Sequence, residues 1–491
     1  MTLDFVDSLH VLNSYAGLPP AFYTRLEPQP LGGPRLLHVN RDLAQEMGLS
    51  EQFLRDPGFM RICAGIDPLP DGQTLAAVYS GHQFGVWAGQ LGDGRAHLLG
   101  EVVTPSGHWE WQLKGSGKTP YSRMGDGRAV LRSSVREYLA SEAMHGLGIP
   151  TTRALALVVS DDPVYRETVE TAAIVTRASP SFVRFGTFEH FANSSVNQRA
   201  LLDHVVDRFY PDCRRALENK DDYAGLAVCF LDHVVRRTAR LMADWMTVGF
   251  CHGVMNTDNM SVLGLTIDYG PYGFMDAFQA NHICNHTDSQ GRYAWNAQPS
   301  VGHWNLFRLA GSLIVLGAEQ DALKMVLDNY ESVFLKAYQH NMCRKFGLRR
   351  WEAADQELVD SWWKLLHTTH ADFTLSFRGL ADALDQPDHY AGQFSDAGMA
   401  RAWLDTYASR VGRDAMPSHE RKAAMNAVNP LYVLRNHVAQ KAIDAAQDGD
   451  ASVIDTLLML LRDPYVQRDG YEAFASTPPA SAAHIQVSCS S

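Results

Sequence analysis

Cysteine is scarce in this chain. Seven in 491 residues, odd in number and widely spaced, exclude the disulfide framework of a small secreted module. Positive charge is also in deficit: 43 Lys and Arg stand against 55 Asp and Glu, giving a formal net charge of −12. Such a balance argues against a nucleic-acid or anionic-membrane partner, and any local cluster of arginines needs its own explanation. Long apolar runs are missing too, since a stretch such as Leu309–Ala318 falls well short of the roughly 20 residues that span a bilayer. Residues 1–15 contain Asp4 and Asp7 and lack both a basic start and an apolar run. No secretory or mitochondrial address is visible, and the expected location is the cytoplasm.

The length is enough for roughly three domains or one enlarged catalytic body, and 46% hydrophobic residues can fill a large core. Residues 1–75 are rich in Pro and Gly, with one short helical stretch, Asn40–Met47, and read as an extension packed on something larger. Residues 76–180 read as mostly antiparallel sheet, in which Asp93-Gly94 between two β-like runs is a hairpin signal. One helix interrupts it, starting at Ser133 or Ser134 and stopping at Gly146 or Gly148. Helical periodicity takes over in 181–345, with amphipathic segments Gln198–Tyr210 and Leu226–Trp245, then two short strands, Met260–Leu263 and Leu265–Asp268. Residues 346–491 form a helical extension ending in a small, polar tail. A second Gly-Asp-Gly-Arg, 125–128, repeats the tetrapeptide at 92–95, but in a different context and without an internal repeat around it. The fold class is α+β.

Gly117-Lys118-Thr119 resembles the end of a phosphate-binding loop, but Gln112 stands where its first glycine belongs and Pro120 interrupts the helix it must open. A better nucleotide signal begins at Lys114, at the end of a strand that follows a glycine-rich turn and precedes a helix carrying Glu137. Close backbone approach, a point charge and a carboxylate to fix it are the parts that hold nucleotide phosphates. Singly, each has a plainer use: Lys114 as a solvated strand end, and Glu137 with Ser134 as a capping box. The segment His252-Gly-Val-Met-Asn-Thr-Asp-Asn259 follows a long helix and leads to Asp268-Tyr-Gly270. Asn259 and Asp268 are hard oxygen donors suited to Mg²⁺ or Mn²⁺, with a triphosphate completing the shell. Order and spacing match a kinase catalytic loop and its D-F-G, except that the position five before Asn259, where the base belongs, is Val254. Asp258 is the only nearby carboxylate that could accept a hydroxyl proton.

These blocks, together with SGHQFG, QLGDGRA, NHICNHTD and NPLYVLRNHVAQKAIDAA, resemble the selenoprotein O (SelO, YdiU) family over nearly the whole chain. The resemblance implies a protein-kinase-like two-lobed fold with an N-terminal extension and a helical C-terminal extension. It implies ATP bound inverted relative to kinases, with Mg²⁺ or Mn²⁺, and AMP passed to Ser, Thr or Tyr hydroxyls of proteins, the chain itself included. Gly92, Gly94 and Arg95 then belong to the nucleotide loop, Lys114 with Glu137 grips phosphate, and Asp126 with Gly127 makes a second nucleotide contact. Arg177 and Arg184 match nucleotide-binding positions, Asn259 and Asp268 the metal ligands, and Asp258 the proton acceptor. A pocket built from Arg95, Lys114, Arg177 and Arg184 suits a departing pyrophosphate, because guanidinium forks chelate phosphate oxygens.

His282-x-Cys284-x-His286 offers at most three zinc ligands and lacks the usual C-x₂-C spacing. In the resembled family a cysteine of this loop pairs with one near the C-terminus, here Cys284 with Cys489, a bond that thioredoxin-type reductants would open. Cys63, Cys213, Cys229, Cys251 and Cys343 read as packed small hydrophobes. Two rival readings stay open: a conventional protein phosphotransferase using the same pocket upright, and a non-catalytic ATP-binding scaffold.

Overall fold

The computed structural model describes residues 3–485 and 487. It is a mixed α+β structure built on a ten-stranded sheet whose strand pairs are all antiparallel. Six strands frame the site: β1 Leu75–Gln83, β2 Val86–Gly92, β3 Ala96–Thr104, β4 Gly107–Lys114, β5 Arg153–Tyr165 and β6 Val169–Ser179. Across the sheet the order is Tyr23–Arg25, β1, β3, β4, β6, β5 and Arg35–Val39, with β2 paired to β1. The N-terminal extension therefore does more than pack on the sheet. It contributes both of those flanking strands, and His10–Leu12 pairs with β3.

Alternation along β6 explains why both faces are covered. Ala173 and Val175 point toward helix α1, Leu131–Gly146, and share a core with its Val135 and Leu139. Ile174, between them, points the other way and is buried with Phe53, Phe59 and Ile62 of the N-terminal extension. The helix α1 begins three residues earlier than Ser134, after Val130, with no side-chain cap. Ser134 and Glu137 consequently make no capping box, and Glu137 is left to face the sheet. Helices Asn436–Gln447 and Ser452–Arg462 of the C-terminal region pack on α1 through Val438, Ala442, Leu457 and Leu461. A second core around Phe346, Trp362, Phe377 and Trp403 holds the remaining C-terminal helices together.

Asp93-Gly94 does not turn a hairpin, contrary to the expectation, because β1 lies between the strands it joins. Asp93 instead turns its side chain inward, accepting from Ala77 N–H and Gln112 Nε2, both at 3.1 Å. The glycine hairpin sits at Phe84-Gly85, between β1 and β2. Helix α2, Tyr223–Val248, stops at Gly249 in the left-handed region, φ +71°. The two strands expected at Met260–Leu263 and Leu265–Asp268 do not form. This stretch pairs outward instead, through single bridges from Ser261 to Arg184 and from Thr266 to Thr151, while Tyr210 Oη donates to the Val262 carbonyl at 2.6 Å. Cys213 and Cys229 are joined by a disulfide and are not the separate packed thiols expected. Their separation of 16 residues hid the fact that a short helix folds back on α2. Among the described residues no helix is long and apolar enough to cross a membrane.

Candidate active site

A cavity of about 400 Å³ opens between the sheet and the segment that follows α2. Both Gly-Asp-Gly-Arg tetrapeptides line it, 92–95 from the end of β2 and 125–128 from the loop before α1. Sequence context separates the two copies and folding brings them together. Gly127 has φ +76°, and a Cβ there would collide with the backbone of Gly117 and Lys118, so no other residue fits. The Lys118-Thr119 decoy lies beside it, with no helix following and Lys118 exposed.

Of the expected nucleotide residues, Gly92, Gly94, Arg95, Lys114, Asp126, Gly127 and Arg177 line this cavity, as do Asn259 and Asp268. Lys114 Nζ lies 2.6 Å from Glu137 Oε2 and 3.5 Å from Asp268 Oδ1. Glu137 also receives Arg177 at 3.2 Å. Burial lowers the Lys114 ammonium from its ordinary pKa against the pull of these two carboxylates. Asp268, whose backbone is left-handed at φ +56°, accepts from Arg177 at 2.6 Å and Arg184 at 2.7 Å. Burial works against its charge, but Arg177, Arg184 and Lys114 hold its carboxyl well below the usual range. Arg184 does not line the cavity wall. It lies beneath Asp268, donates to the Asp258 carbonyl at 2.9 Å and stacks 4.5 Å above the Tyr79 ring.

Asp258 sits on the single 3₁₀ turn Thr257–Asn259. One carboxylate oxygen is buried with no hydrogen-bond partner, and the other accepts from Gln83 Nε2 at 3.3 Å. Burial, opposed by Arg184, pushes its pKa up to about 6. Asn259 donates its amide N–H to the Val254 carbonyl at 3.0 Å, which directs its side-chain oxygen away from that bond. That oxygen and the remaining lone pairs of Asp268 are hard donors at the cavity wall, a donor set whose chemistry would suit a divalent cation.

Sequence reasoning missed Arg128 and Arg166, which also line the cavity. Arg166 forks onto Asp126 at 2.7 and 3.0 Å and holds the second tetrapeptide in place. The repeated tetrapeptide was a usable signal for Arg128, whereas Arg166 lies in a turn with no motif. Five cationic side chains thus face three carboxylates in the lining, a local reversal of the chain's net charge. Gln83 and Tyr79 were missed as well.

The cysteine loop runs past the same region. Cys284 is buried, its thiol donating to the Pro271 carbonyl at 2.9 Å, and burial raises its pKa well above the ordinary value. Its expected partner, Cys489, lies outside the described residues. Two positions before it, the Val487 carbonyl accepts from His286 N–H at 3.2 Å. Among the described residues, His282, Cys284 and His286 do not gather closely enough to share a metal, and the cysteines near His233, Cys213 and Cys229, are taken up in their disulfide.

The site is therefore a cation-walled cradle with paired tetrapeptide loops and two hard oxygen donors, on an α+β chain. Comparison with known proteins agrees in kind. The family model described as "Protein adenylyltransferase SelO" matches residues 6–462, and the chain belongs to the SelO family. It is 62% identical over 500 residues to "Protein nucleotidyltransferase YdiU" of Bordetella petrii, covering 100% of both chains. A protein of the same name from Dechloromonas aromatica is 49% identical over 491 residues, covering 98% of this chain and 97% of the relative.

Proposed function

We propose that this chain is a protein adenylyltransferase: it transfers AMP from ATP to Ser, Thr or Tyr hydroxyls of proteins, itself included. The reading takes residues 76–180 and 181–345 as the two lobes of a kinase-like fold, with extensions at 1–75 and 346–491. ATP binds inverted, so that the α-phosphorus meets the acceptor. The hydroxyl oxygen attacks that phosphorus, the bond to the β-phosphate oxygen breaks, and pyrophosphate leaves; the hydroxyl proton passes to Asp258.

The observation that carries this reading is the contrast between two aspartates ten residues apart. Asp268 is locked as a carboxylate by Arg177 and Arg184, as a metal ligand must be, whereas Asp258 has a raised pKa near 6 and an unpartnered oxygen, as a proton acceptor must. Asn259 and Asp268 would hold Mg²⁺ or Mn²⁺, which supplies charge neutralisation to the phosphates when bound. Lys114, fixed by Glu137, and Arg95, Arg128 and Arg177 meet the charge that collects on pyrophosphate. Gly92, Gly94 and Gly127, with Asp126 held by Arg166, let the backbone approach the nucleotide. A pairing of Cys284 with Cys489, opened by a thioredoxin-type reductant, would tie the tail beside this cavity. The setting is the cytoplasm, without a nucleic-acid or membrane partner.

ATP radiolabelled at either the α or the γ position tests the reading directly. Label must reach protein from the α position only. Transfer from the γ position would make the chain a conventional phosphotransferase, and no transfer at all with nucleotide still bound would make it a scaffold.

A further inference from the structure

The hairpin between β1 and β2 presents Phe84, Val86 and Trp87 to solvent, at 37%, 70% and 50% exposure. Scattered surface apolar residues need no explanation, but these three are adjacent and the hairpin is pinned. Phe84 is a non-glycine residue at φ +50°, a strained conformation held by its N–H, which donates to Tyr293 Oη at 2.8 Å and to Asn256 Oδ1 at 3.3 Å. His82 N–H donates to Thr257 Oγ1 at 2.7 Å, and Gln83 reaches Asp258. The exposed tip is thus fastened to the turn that carries the candidate proton acceptor.

Beside the tip the surface is aromatic and cationic. His82 packs edge-on against Trp87 at 5.1 Å and Trp304 at 5.4 Å. Arg292 and Arg308 both lie over the Trp304 ring, at 4.7 and 5.1 Å. Neither guanidinium forms an ion pair among the described residues. Glu189, which Arg308 influences, is taken up by His82 at 2.6 Å, and Asp288 is occupied by the backbone N–H groups of Arg292 and Tyr293. Gly85, left-handed at φ +80°, turns the hairpin against Arg292, whose guanidinium carbon would stand 2.9 Å from a Cβ there. Two unpaired arginines on aromatic rings are a notable local exception in a chain of net charge −12.

We propose that Phe84, Val86, Trp87 and Trp304, flanked by Arg292 and Arg308, form the docking shelf for the acceptor polypeptide. It selects a hydroxyl residue carried in an acidic segment with an apolar neighbour. This rests on the adenylyl-transfer reading and adds to it the chemistry of the substrate. Apolar anchors on the hairpin would hold the segment, and the arginines would fix its register by pairing with its carboxylates. The shelf ends at Asp258, which places the acceptor hydroxyl beside the proton acceptor.

The test uses the full chain, ATP labelled at the α position, and synthetic peptides with one hydroxyl residue and one apolar neighbour, flanked by Asp and Glu or by Lys and Arg. The acidic set is labelled with kcat/KM at least about tenfold above the basic set. The double variant Arg292→Glu, Arg308→Glu inverts that order. Trp87→Ala raises KM for the acidic peptides and leaves KM for ATP unchanged. Equal labelling of both sets, or an order that survives charge reversal, overturns the proposal. Self-modification without labelling of any peptide also overturns it while the adenylyl-transfer reading stands. Absence of α label on any acceptor removes both.

Discussion

Lys114 Nζ stands 2.6 Å from Glu137 Oε2, joining the end of β4 to the second turn of α1 with both side chains buried. The pair fixes the one lysine that lines the cavity among the described residues, on the same wall as both tetrapeptide loops. Lys114→Ala is expected to lower kcat/KM for ATP by about 10³-fold or more, since on the adenylyl-transfer reading a preorganised charge is lost where pyrophosphate would develop. Glu137→Gln should cost less, because the Lys114 charge remains and keeps a second carboxylate, Asp268 Oδ1 at 3.5 Å. Steady-state kinetics of both variants, with circular dichroism as a check on folding, decide the ranking.

Asp258 gives a pH dependence whose sign is fixed. Its carboxyl, with an ordinary value of 3.8, is raised to about 6, so the proton-accepting form disappears as pH falls through about 6 and the rate falls with it. Asp258→Asn should lose about 10²-fold to 10⁴-fold in rate and flatten that limb of the profile.

The same shift has an opposite consequence for stability. A carboxyl whose folded pKa is raised contributes stability below its unfolded value, and that contribution is lost as pH rises through about 6. Above that, the buried charge opposes folding by up to about 3 kcal/mol. Asp258→Asn should therefore raise the melting temperature near neutral pH and leave it almost unchanged near pH 4. A lowered melting temperature at neutral pH would contradict the assignment.

The Cys213–Cys229 bond closes a loop with a sequence separation of 16. Its reduction should destabilise the chain by about 3 kcal/mol, as loop-closure entropy implies for this length. Non-reduced peptide mapping with thermal unfolding, before and after a phosphine reductant, measures both the bond and its worth.

Cys284 should react slowly with alkylating agents in the folded chain, because its thiol is buried and its pKa raised. Mass spectrometry under oxidising conditions should find it linked to Cys489. Both thiols free under those conditions would remove the redox part of the proposed function.

Much of the site was legible from local sequence, because Lys114, Glu137, Asn259 and Asp268 lie in motifs whose spacing reflects direct physical roles. Gly92, Gly94 and Gly127 came from the family resemblance and not from spacing, and all three line the cavity. What stayed hidden depended on contacts distant in sequence. Arg184 reads as a cavity residue and proves to be a buried prop for Asp268, a distinction that only burial reveals. Asp93-Gly94 has the composition of a hairpin turn, but strand order, which the turn does not specify, puts β1 between its flanking strands. The strands expected around Gly264 have suitable apolar residues, and their backbone finds partners in Arg184 and Thr151 before it can pair with itself.

Phe53, Phe59 and Ile62 close the far side of the sheet whose central strands supply Lys114 and Arg177. The stretch before residue 70 is thus the back wall of the cradle. A shortened chain lacking it would leave Leu155, Val158 and Ile174 facing water, and would fail by clumping before its chemistry could be measured.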